Sequence, residues 1–206
     1  MRLNVNPNRM ELIKLRRRLV LARRGHKLLK DKRDELMRIF MEMFERVFKE
    51  REALDEMFAS LMAAFRFARA SMSPSEFVSA IASSEAAVKF SMSTKSLLSL
   101  RAPEYKIDVE GDPVSWSAAS APAELDEALL GFKDFIPRLA RLASDEKTLM
   151  LLAEEVERTR RRVNALEYVL MPNLSETIRY ISMRLSENER SDQVRLMKVK
   201  DIVRSH

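Results

Sequence analysis

The chain has 206 residues, of which 21 are alanine, 26 leucine, 21 glutamate and 37 lysine or arginine. These four classes fill about half of the chain, a proportion typical of long helices and coiled coils. With 3 glycines, 2 histidines and no cysteine, the chain lacks glycine-rich phosphate loops, an HExxH zinc motif, thiolate nucleophiles and disulfides. No carboxylates converge in the sequence, so we expect no active site, no cofactor and no bound metal.

The net charge of +6 is unevenly distributed. Residues 1–33 contain twelve basic and two acidic side chains. Such a block favours an anionic partner, which is a nucleic acid, an anionic lipid or an acidic protein surface. A solvated helix face is the alternative, and charge alone does not separate the two. No apolar run approaches the ~18–20 residues of a membrane helix, and the N-terminus lacks a secretory signal, so we expect a reduced, soluble, cytoplasmic protein.

The first predicted element is a very long helix. From Leu12 to Ala68 a repeat that alternates three and four residues has apolar side chains at fourteen of its seventeen positions, as in the a/d seam of a coiled coil. Asn8 is the expected N-cap, with Glu11 completing a capping box. A helix over residues 8–72 would be about 100 Å long. The seam residues are Leu12, Leu15, Leu19, Leu29, Leu36, Phe40, Met43, Val47, Leu54, Met57 and Leu61.

A second seam lies in the last third of the chain. From Leu166 to Ile178 its spacing changes to four residues, which is a stutter that relaxes the left-handed supercoil. Pro172 lies in this shift and predicts a kink. We expect a helix from about residue 124 to 200, with Gly131 and Pro137 weakening its first turns. The seam residues here are Val156, Val163, Leu166, Leu170, Ile178 and Leu185.

Residues 73–123 are rich in serine and proline, and their helical periodicity fades. The alternation of Tyr105, Ile107 and Val109, the turn at 111–113 and the apolar Val114 and Trp116 predict a β-hairpin. Alternation over residues 88–92 is compatible with a further strand or with a helix.

Two long amphipathic helices around a compact insert bury their seams most simply by folding back. The predicted fold is therefore mainly α, with an antiparallel, left-handed, locally stuttered coiled coil. It comprises an N-terminal helix (1–72), a central head with a short helix and the β-hairpin (73–123), and a C-terminal helix (124–206).

Two groups of polar residues depart from the expected pattern of apolar seams and paired surface charges. His26, Arg33 and Glu50 interrupt the first seam, where such residues either set the register of a coil or mark a contact with a partner. Arg160, Arg161 and Arg162 exceed what pairing within the helix requires. They suit a rod surrounded by partners, the alternative being a solvated face.

Two segments of the sequence, RLNVNPNRMELIKLRRRLVLARRGHKLLKDKRDELM (2–37) and TRRRVNALEYVLMPNL (159–174), resemble the signature segments of the D subunit of the V/A-type rotary ATPases. The layout is similar over essentially the whole chain, and its length is that of archaeal and bacterial members. The central segment 73–123 resembles the family only in position and in the hairpin signal.

The resemblance implies a non-catalytic central-stalk axle that turns inside the hexamer of A and B subunits, with the nucleotide chemistry on the A subunits. It implies docking on the F subunit, and on the funnel-shaped subunit that links the axle to the membrane ring. It also implies a location on the inner face of the cell membrane. An axle of this kind should have a polar, hydrated outer surface.

For the contacts, we expect Arg23, Arg24 and Lys27, together with Arg160–Arg162, to face acidic groups of the A and B subunits. The two stretches come together if the coil aligns roughly His26 with Leu166. Tyr105 and Trp116 are the expected anchors for the F subunit. Two alternatives stay open at this stage: a basic helical hairpin that binds nucleic acid, and a homodimeric coiled coil that pairs first helix with first helix.

Overall fold

The computed structural model describes residues 5–97, 100–115 and 122–205. Helix α1 (Arg9–Ser71) is followed by the short helix α2 (Pro74–Ala82) and by the strands β1 (Ala87–Leu97) and β2 (Leu100–Glu110). Helix α3 (Ala123–Asn164), a π-helical segment (Ala165–Leu170) and helix α4 (Met171–Ser205) complete the chain. The long helices pack against each other, which confirms the predicted fold of paired helices with a small β-hairpin.

Helix α1 begins where the sequence indicates. The side-chain Oδ1 of Asn8 accepts a hydrogen bond of 2.7 Å from the backbone N–H of Glu11, so Asn8 is the N-cap. The reciprocal half of the capping box does not form, because the Asn8 backbone N–H donates to the carbonyl of Asn6 at 2.9 Å, and the Glu11 carboxylate pairs with Lys14. A complete capping box occurs instead at α2, between Ser73 and Glu76.

The chain forms two compact units, of which one contains residues up to Leu36 and from Val156 onward. In this first unit α1 runs antiparallel to the C-terminal helices, since Arg9 pairs with Glu189 while His26 pairs with Glu167. Within this unit the chain therefore folds back on itself. The core of this unit is formed by Leu15, Ala22, Leu174 and Ile181, with Leu12, Leu19, Met171, Ile178 and Leu185 packed around them.

The second unit comprises Met37–Glu155. The rings of Phe58 and Phe135 stack with their centroids 5.5 Å apart, which joins α1 to α3. Gly131 has no side chain at the point where Leu61 approaches, and a Cβ there would collide with the Leu61 side chain. Gly131 and Pro137, which we expected to weaken the first turns, both lie inside continuous helix.

At the end of α1, a cluster of Ala68, Phe77, Ala80 and Leu125 joins α1, α2 and α3. The Phe65 and Phe77 rings meet edge to face at 5.2 Å, which is a favourable aromatic geometry. These contacts hold the head to the helix pair.

The hairpin has a different turn from the predicted one. Strand β1 pairs antiparallel with β2 in the register Ala87↔Glu110 to Leu97↔Leu100, so the strand interpretation of residues 88–92 is right. The prediction that Gly111-Asp112-Pro113 starts a second strand is wrong. Gly111 has a φ of +86°, and a Cβ at this position would lie 2.5 Å from the backbone oxygen of Glu85. The chain therefore turns against the entry to β1 and leaves the sheet there.

The stutter takes the form of the π-helical segment Ala165–Leu170. The backbone N–H of Met171 donates to the carbonyl of Leu166, five residues earlier. Pro172 follows directly, and a proline has no N–H and its ring collides with the carbonyl four residues back in an α-helix. The wider π turn ahead of Pro172 relieves that collision.

A matched pair of leucines tests the seam of the first unit. Leu15 is 2% exposed and Leu21 is 71% exposed on the same helix. Replacing Leu15 with alanine should lower the free energy of unfolding by about 2–5 kcal/mol, whereas Leu21→Ala should change it by less than about 0.5 kcal/mol. Urea unfolding of the isolated full-length chain measures both. Equal losses for the two variants would contradict the described seam.

Candidate partner-facing surface

The two helical seams determine which side chains remain outside. Eight of the predicted seam residues are buried in the structure: Leu15, Leu36, Met43, Val47, Leu54, Leu61, Val156 and Val163. Eight more are half-buried, namely Leu12, Leu19, Leu29, Phe40, Met57, Leu166, Ile178 and Leu185. Leu170 is the exception, at 41% exposed. It lies in the π-helical segment, whose extra residue per turn rotates it away from the α-helical stripe.

Two of the three polar residues in the first seam bond polar side chains of the facing helix. The His26 Nε2 lies 3.2 Å from a carboxylate oxygen of Glu167, and Glu50 accepts a hydrogen bond of 3.1 Å from Arg138. Arg33 pairs instead with Asp34 beside it on α1. Within each unit these cross-helix pairs favour one alignment, as polar residues in a coiled-coil seam can do.

The predicted basic contacts on α1 are all exposed. Arg23, Arg24 and Lys27 lie outside the seam, and in the described part of the chain they make no ion pair with an acidic side chain. Their charges are therefore available to a partner. The neighbouring Arg16 and Arg17 line a shallow groove of about 320 Å³ together with Arg24 and two apolar residues.

The three arginines of α3 are exposed but differ in their partners. Arg160 and Arg161 both bond the carboxylate of Glu157, at 2.9 Å and 2.8 Å. Their hydrogen bonds and positive charges, the bond from Arg161 above all, lower the pKa of Glu157. Arg162 makes no such pair among the residues that the structure describes. In the described residues, the guanidinium of Arg162 therefore has no carboxylate partner, whereas those of Arg160 and Arg161 are bonded to Glu157.

The structure places the two basic stretches near each other along the coil without bringing them face to face. His26 lies opposite Glu167, within one residue of the expected alignment. Continuing that register, Arg161 lies opposite roughly residue 32, about five residues or ~8 Å beyond Lys27. We refer to the two groups, at neighbouring levels of the coil, together as the basic surface, which comprises Arg23, Arg24, Lys27 and Arg160–Arg162.

Sequence reasoning missed the apolar residues that accompany this surface. Val20, Leu21 and Leu28 are 49%, 71% and 69% exposed on α1, and Tyr168 and Val169 are 72% and 57% exposed in the π-helical segment. Exposed apolar side chains therefore interrupt the polar, hydrated exterior that we expected for this part of the coil. Their exposure could have been predicted from the sequence, because these apolar residues lie outside the 3-4 repeat of the seam.

In the head, Tyr105 is half-buried in strand β2. Its backbone N–H donates a hydrogen bond of 2.8 Å to the Ser144 hydroxyl on α3, and its ring lies 5.9 Å from that of Phe90 on β1. Trp116, the second expected anchor, lies outside the described residues.

Metal binding and membrane insertion find no support in the described residues. In residues 5–97, 100–115 and 122–205, no group of three or more acidic or histidine side chains is arranged to hold a metal ion. None of the helices in those ranges combines the length and the apolar character needed to cross a bilayer.

The chain is similar to known proteins over nearly its whole length. A family model that describes the D subunit of ATP synthase matches residues 11–201. The V-type ATP synthase D subunit of Acetivibrio thermocellus is 45% identical over 205 residues, which cover 98% of this chain and 92% of the relative. The proteins of the same name from Clostridium novyi and Clostridioides difficile are 44% and 45% identical, over 98% of this chain and 96% and 92% of their own lengths.

The hydrogen bonds from Arg160 and Arg161 to the Glu157 carboxylate predict how this interaction depends on pH. Because folding lowers the pKa of Glu157, through Arg161 first, the interaction stabilises the coil at neutral pH and is lost as the pH falls through that lowered pKa. Carboxyl NMR should show Glu157 titrating below an unstructured glutamate. Arg161→Gln should raise the midpoint and Arg162→Gln should leave it in place. If Arg161→Gln left the titration midpoint of Glu157 unchanged, the assignment of the lowered pKa to Arg161 would be refuted.

Proposed function

Because the chain belongs to the family of ATP synthase D subunits, we propose that it is the central-stalk rotor of a V/A-type rotary ATPase or ATP synthase. In this proposal it turns inside the hexamer of A and B subunits and carries torque between ATP hydrolysis or synthesis and ion translocation by the membrane ring. The observation that carries the proposal is the pairing of two long antiparallel helices within a family of ATP synthase subunits.

The helix pair has the mechanical properties that torque transmission requires. A single helix twists and bends easily, whereas two helices joined by a packed seam resist sliding past each other. The buried leucines of the seam supply cohesion. Polar pairs between the helices, such as those of His26 with Glu167 and Arg51 with Glu146, oppose a change of register within each unit.

In the proposal this rotor does no catalysis, and the nucleotide sites belong to the A subunits. It is peripheral to the membrane, on the inner face of the cell membrane, and held there by its partners. The family favours this placement over the nucleic-acid alternative, since the relatives are named as ATP synthase subunits.

The basic surface is the proposed contact with the A and B subunits. Exposed charges on a turning shaft favour certain angles without locking the shaft, because interactions between exposed charges are weak and screened. Arg23, Arg24, Lys27 and Arg162, which make no ion pair in the described part of the chain, suit this contact best. Arg160 and Arg161 suit it less well because they already share Glu157. The exposed Leu21 and Leu28 add apolar contact at the same levels.

The head, in the second unit, is the proposed contact with the F subunit and with the funnel-shaped subunit. Val88, Phe90 and Met92 are 55%, 62% and 64% exposed on β1, and they share a face of the hairpin with Tyr105, the partner of Met92. This apolar face supports the interpretation of Tyr105 as an anchor. Trp116 remains a sequence prediction.

Photo-crosslinking tests whether the chain turns relative to the hexamer. Since the chain has no cysteine, Lys30→Cys on exposed α1 provides a unique site for a photoactivatable label. After irradiation, covalent attachment to one of the A or B subunits should abolish ATP hydrolysis in the crosslinked fraction.

The matched control carries the same label at Ser91→Cys, on the exposed strand β1. There, crosslinks to the proposed co-rotating partners should leave ATP hydrolysis intact. Full crosslinking at position 30 with undiminished ATP hydrolysis would rule out the rotor proposal.

Charge removal tests the basic surface. The double variant Arg24→Gln with Lys27→Gln should weaken binding to the A and B hexamer by roughly 2- to 10-fold at physiological salt, as expected for two exposed charge contacts. Arg141→Gln with Lys147→Gln removes the same charge from exposed positions on α3 and should change binding less than about twofold. Affinities measured over a salt series decide this, and equal effects of the two pairs would exclude a specific basic contact.

A further inference from the structure

The packing between the helices of the first unit thins at one level. On α1 no residue between Ala22 and Leu36 is buried, and on the facing helices none between Val163 and Leu174 is buried. The four residues that bound these stretches are each less than a tenth exposed. The contact of His26 with Glu167 places the two stretches opposite each other. Since apolar burial supplies most of the cohesion between helices, this level is held more weakly than the packed levels that bound it.

Gly25 weakens α1 at the same level. A glycine inside a helix costs stability, because its backbone loses more conformational freedom on folding than that of any other residue. At Gly131 the absence of a side chain makes room for Leu61, whereas a Cβ at Gly25 would have nothing within 4 Å. Packing therefore does not require a glycine at position 25.

Like charges weaken the same turns of α1. Arg23 and Lys27 are four residues apart, and Lys27 and Lys30 are three apart, so the members of each pair are neighbours on the helix surface. All three are exposed, and in the described part of the chain they make no ion pair with an acidic side chain. Repulsion at these spacings destabilises a helix.

The facing helix has its own weak point here, the π-helical segment Ala165–Leu170. None of its residues is buried. Pro172 lies just beyond it and has no N–H, so it donates no backbone hydrogen bond to the preceding turn. Helices bend most sharply at π turns and at prolines. Both helices of the coil are therefore weakened at one level.

A polar pair joins the two helices at this level. The Nε2 atom of His26 lies 3.2 Å from Oε2 of Glu167, and the two side chains are 20% and 45% exposed. Water can take the place of this bond when the helices part, because the Glu167 carboxylate already reaches solvent. The neighbouring core around Leu15 and Ile181 has no such substitute, since opening it would expose apolar surface.

We propose that the coil of the first unit has a joint at the level of Gly25 and the π-helical segment. At this joint the two helices part and their turns loosen together, and the bond between His26 and Glu167 breaks. The core around Leu15 and Ile181 stays packed. Openings of this kind occur where few apolar contacts are buried, so bending and twisting of the coil concentrate there. The joint is a property of the chain itself and does not depend on rotation, so the crosslinking at position 30 and the experiments below fail independently.

Hydrogen exchange of the full-length chain tests the joint. Backbone amides of residues 23–30 and 165–171 should exchange faster than those of residues 15–20 and 176–181. Gly25→Ala should slow exchange roughly 2- to 5-fold in both of the fast stretches, because one opening exposes them together. Slowing that is confined to α1 would reflect a local gain in helix propensity and would overturn the joint.

Val20→Ala is the matched control. Val20 is 49% exposed on α1, and its replacement by alanine also raises helix propensity, but at the level of the packed core. It should leave exchange of residues 165–171 unchanged. Equal slowing of that stretch by Val20→Ala and Gly25→Ala would contradict a joint at the level of Gly25.

Removal of the polar pair should open the joint further. Glu167→Ala should accelerate exchange of residues 23–30 roughly 2- to 5-fold, as expected for the loss of a partly exposed pair, and leave residues 15–20 unchanged. Glu187→Ala removes an exposed carboxylate of α4 away from this level and should leave both stretches unchanged. Exchange of residues 23–30 that does not respond to Glu167→Ala would refute the role of the pair.

Distances between spin labels test whether the helices part. One cysteine pair, Lys27→Cys with Tyr168→Cys, carries labels at exposed positions of the joint. The other, Arg18→Cys with Arg179→Cys, carries them at exposed positions beside the core. The distance distribution should be broader at the joint, and Gly25→Ala should narrow it there alone. Equal widths for the two pairs would contradict the proposed joint.

Discussion

The structure depends above all on the burial of one apolar seam along each long helix. Neither α1 nor the C-terminal helices can hide this stripe alone, and a lone amphipathic helix in water gains little from its hydrogen bonds. Folding the chain back covers both stripes within a single polypeptide. The residues with the least exposure, Leu36, Leu152 and Ile181 among them, lie on these stripes, and the head is attached to the same helices.

Polar residues give the seam its alignment. Apolar side chains at regular spacing pack almost equally well after a shift of one heptad, so burial alone does not select a register. The pairs His26–Glu167 in one unit and Glu50–Arg138 in the other favour one alignment in each. The π-helical segment ahead of Pro172 then adjusts the phase of the C-terminal stripe, which brings Leu174 and Ile181 into the core.

Periodicity and caps were sufficient to predict the long helices, because they are local properties of the sequence. The antiparallel return followed from the need to cover the seams, whereas the alignment of His26 near Leu166 was stated as the condition for the two basic stretches to meet. The hairpin turn was mispredicted because the chain's contact at Gly111 is with Glu85, a neighbour that only tertiary structure supplies. Gly131 was expected to weaken the helix for the same reason, because only the tertiary structure shows that the absence of a side chain at Gly131 makes room for Leu61.

The candidate surface was less accessible to prediction. Arg23, Arg24 and Lys27 are exposed as expected, but the sharing of Glu157 by Arg160 and Arg161 depends on rotamers that spacing alone does not determine.

The most direct test of the rotor assignment is to fix the A and B hexamer to a surface and attach a bead to a single cysteine in the exposed strand β1. We expect continuous, one-directional rotation of the bead when ATP is added. A bead that stays at a fixed angle while the same complexes hydrolyse ATP would contradict the assignment.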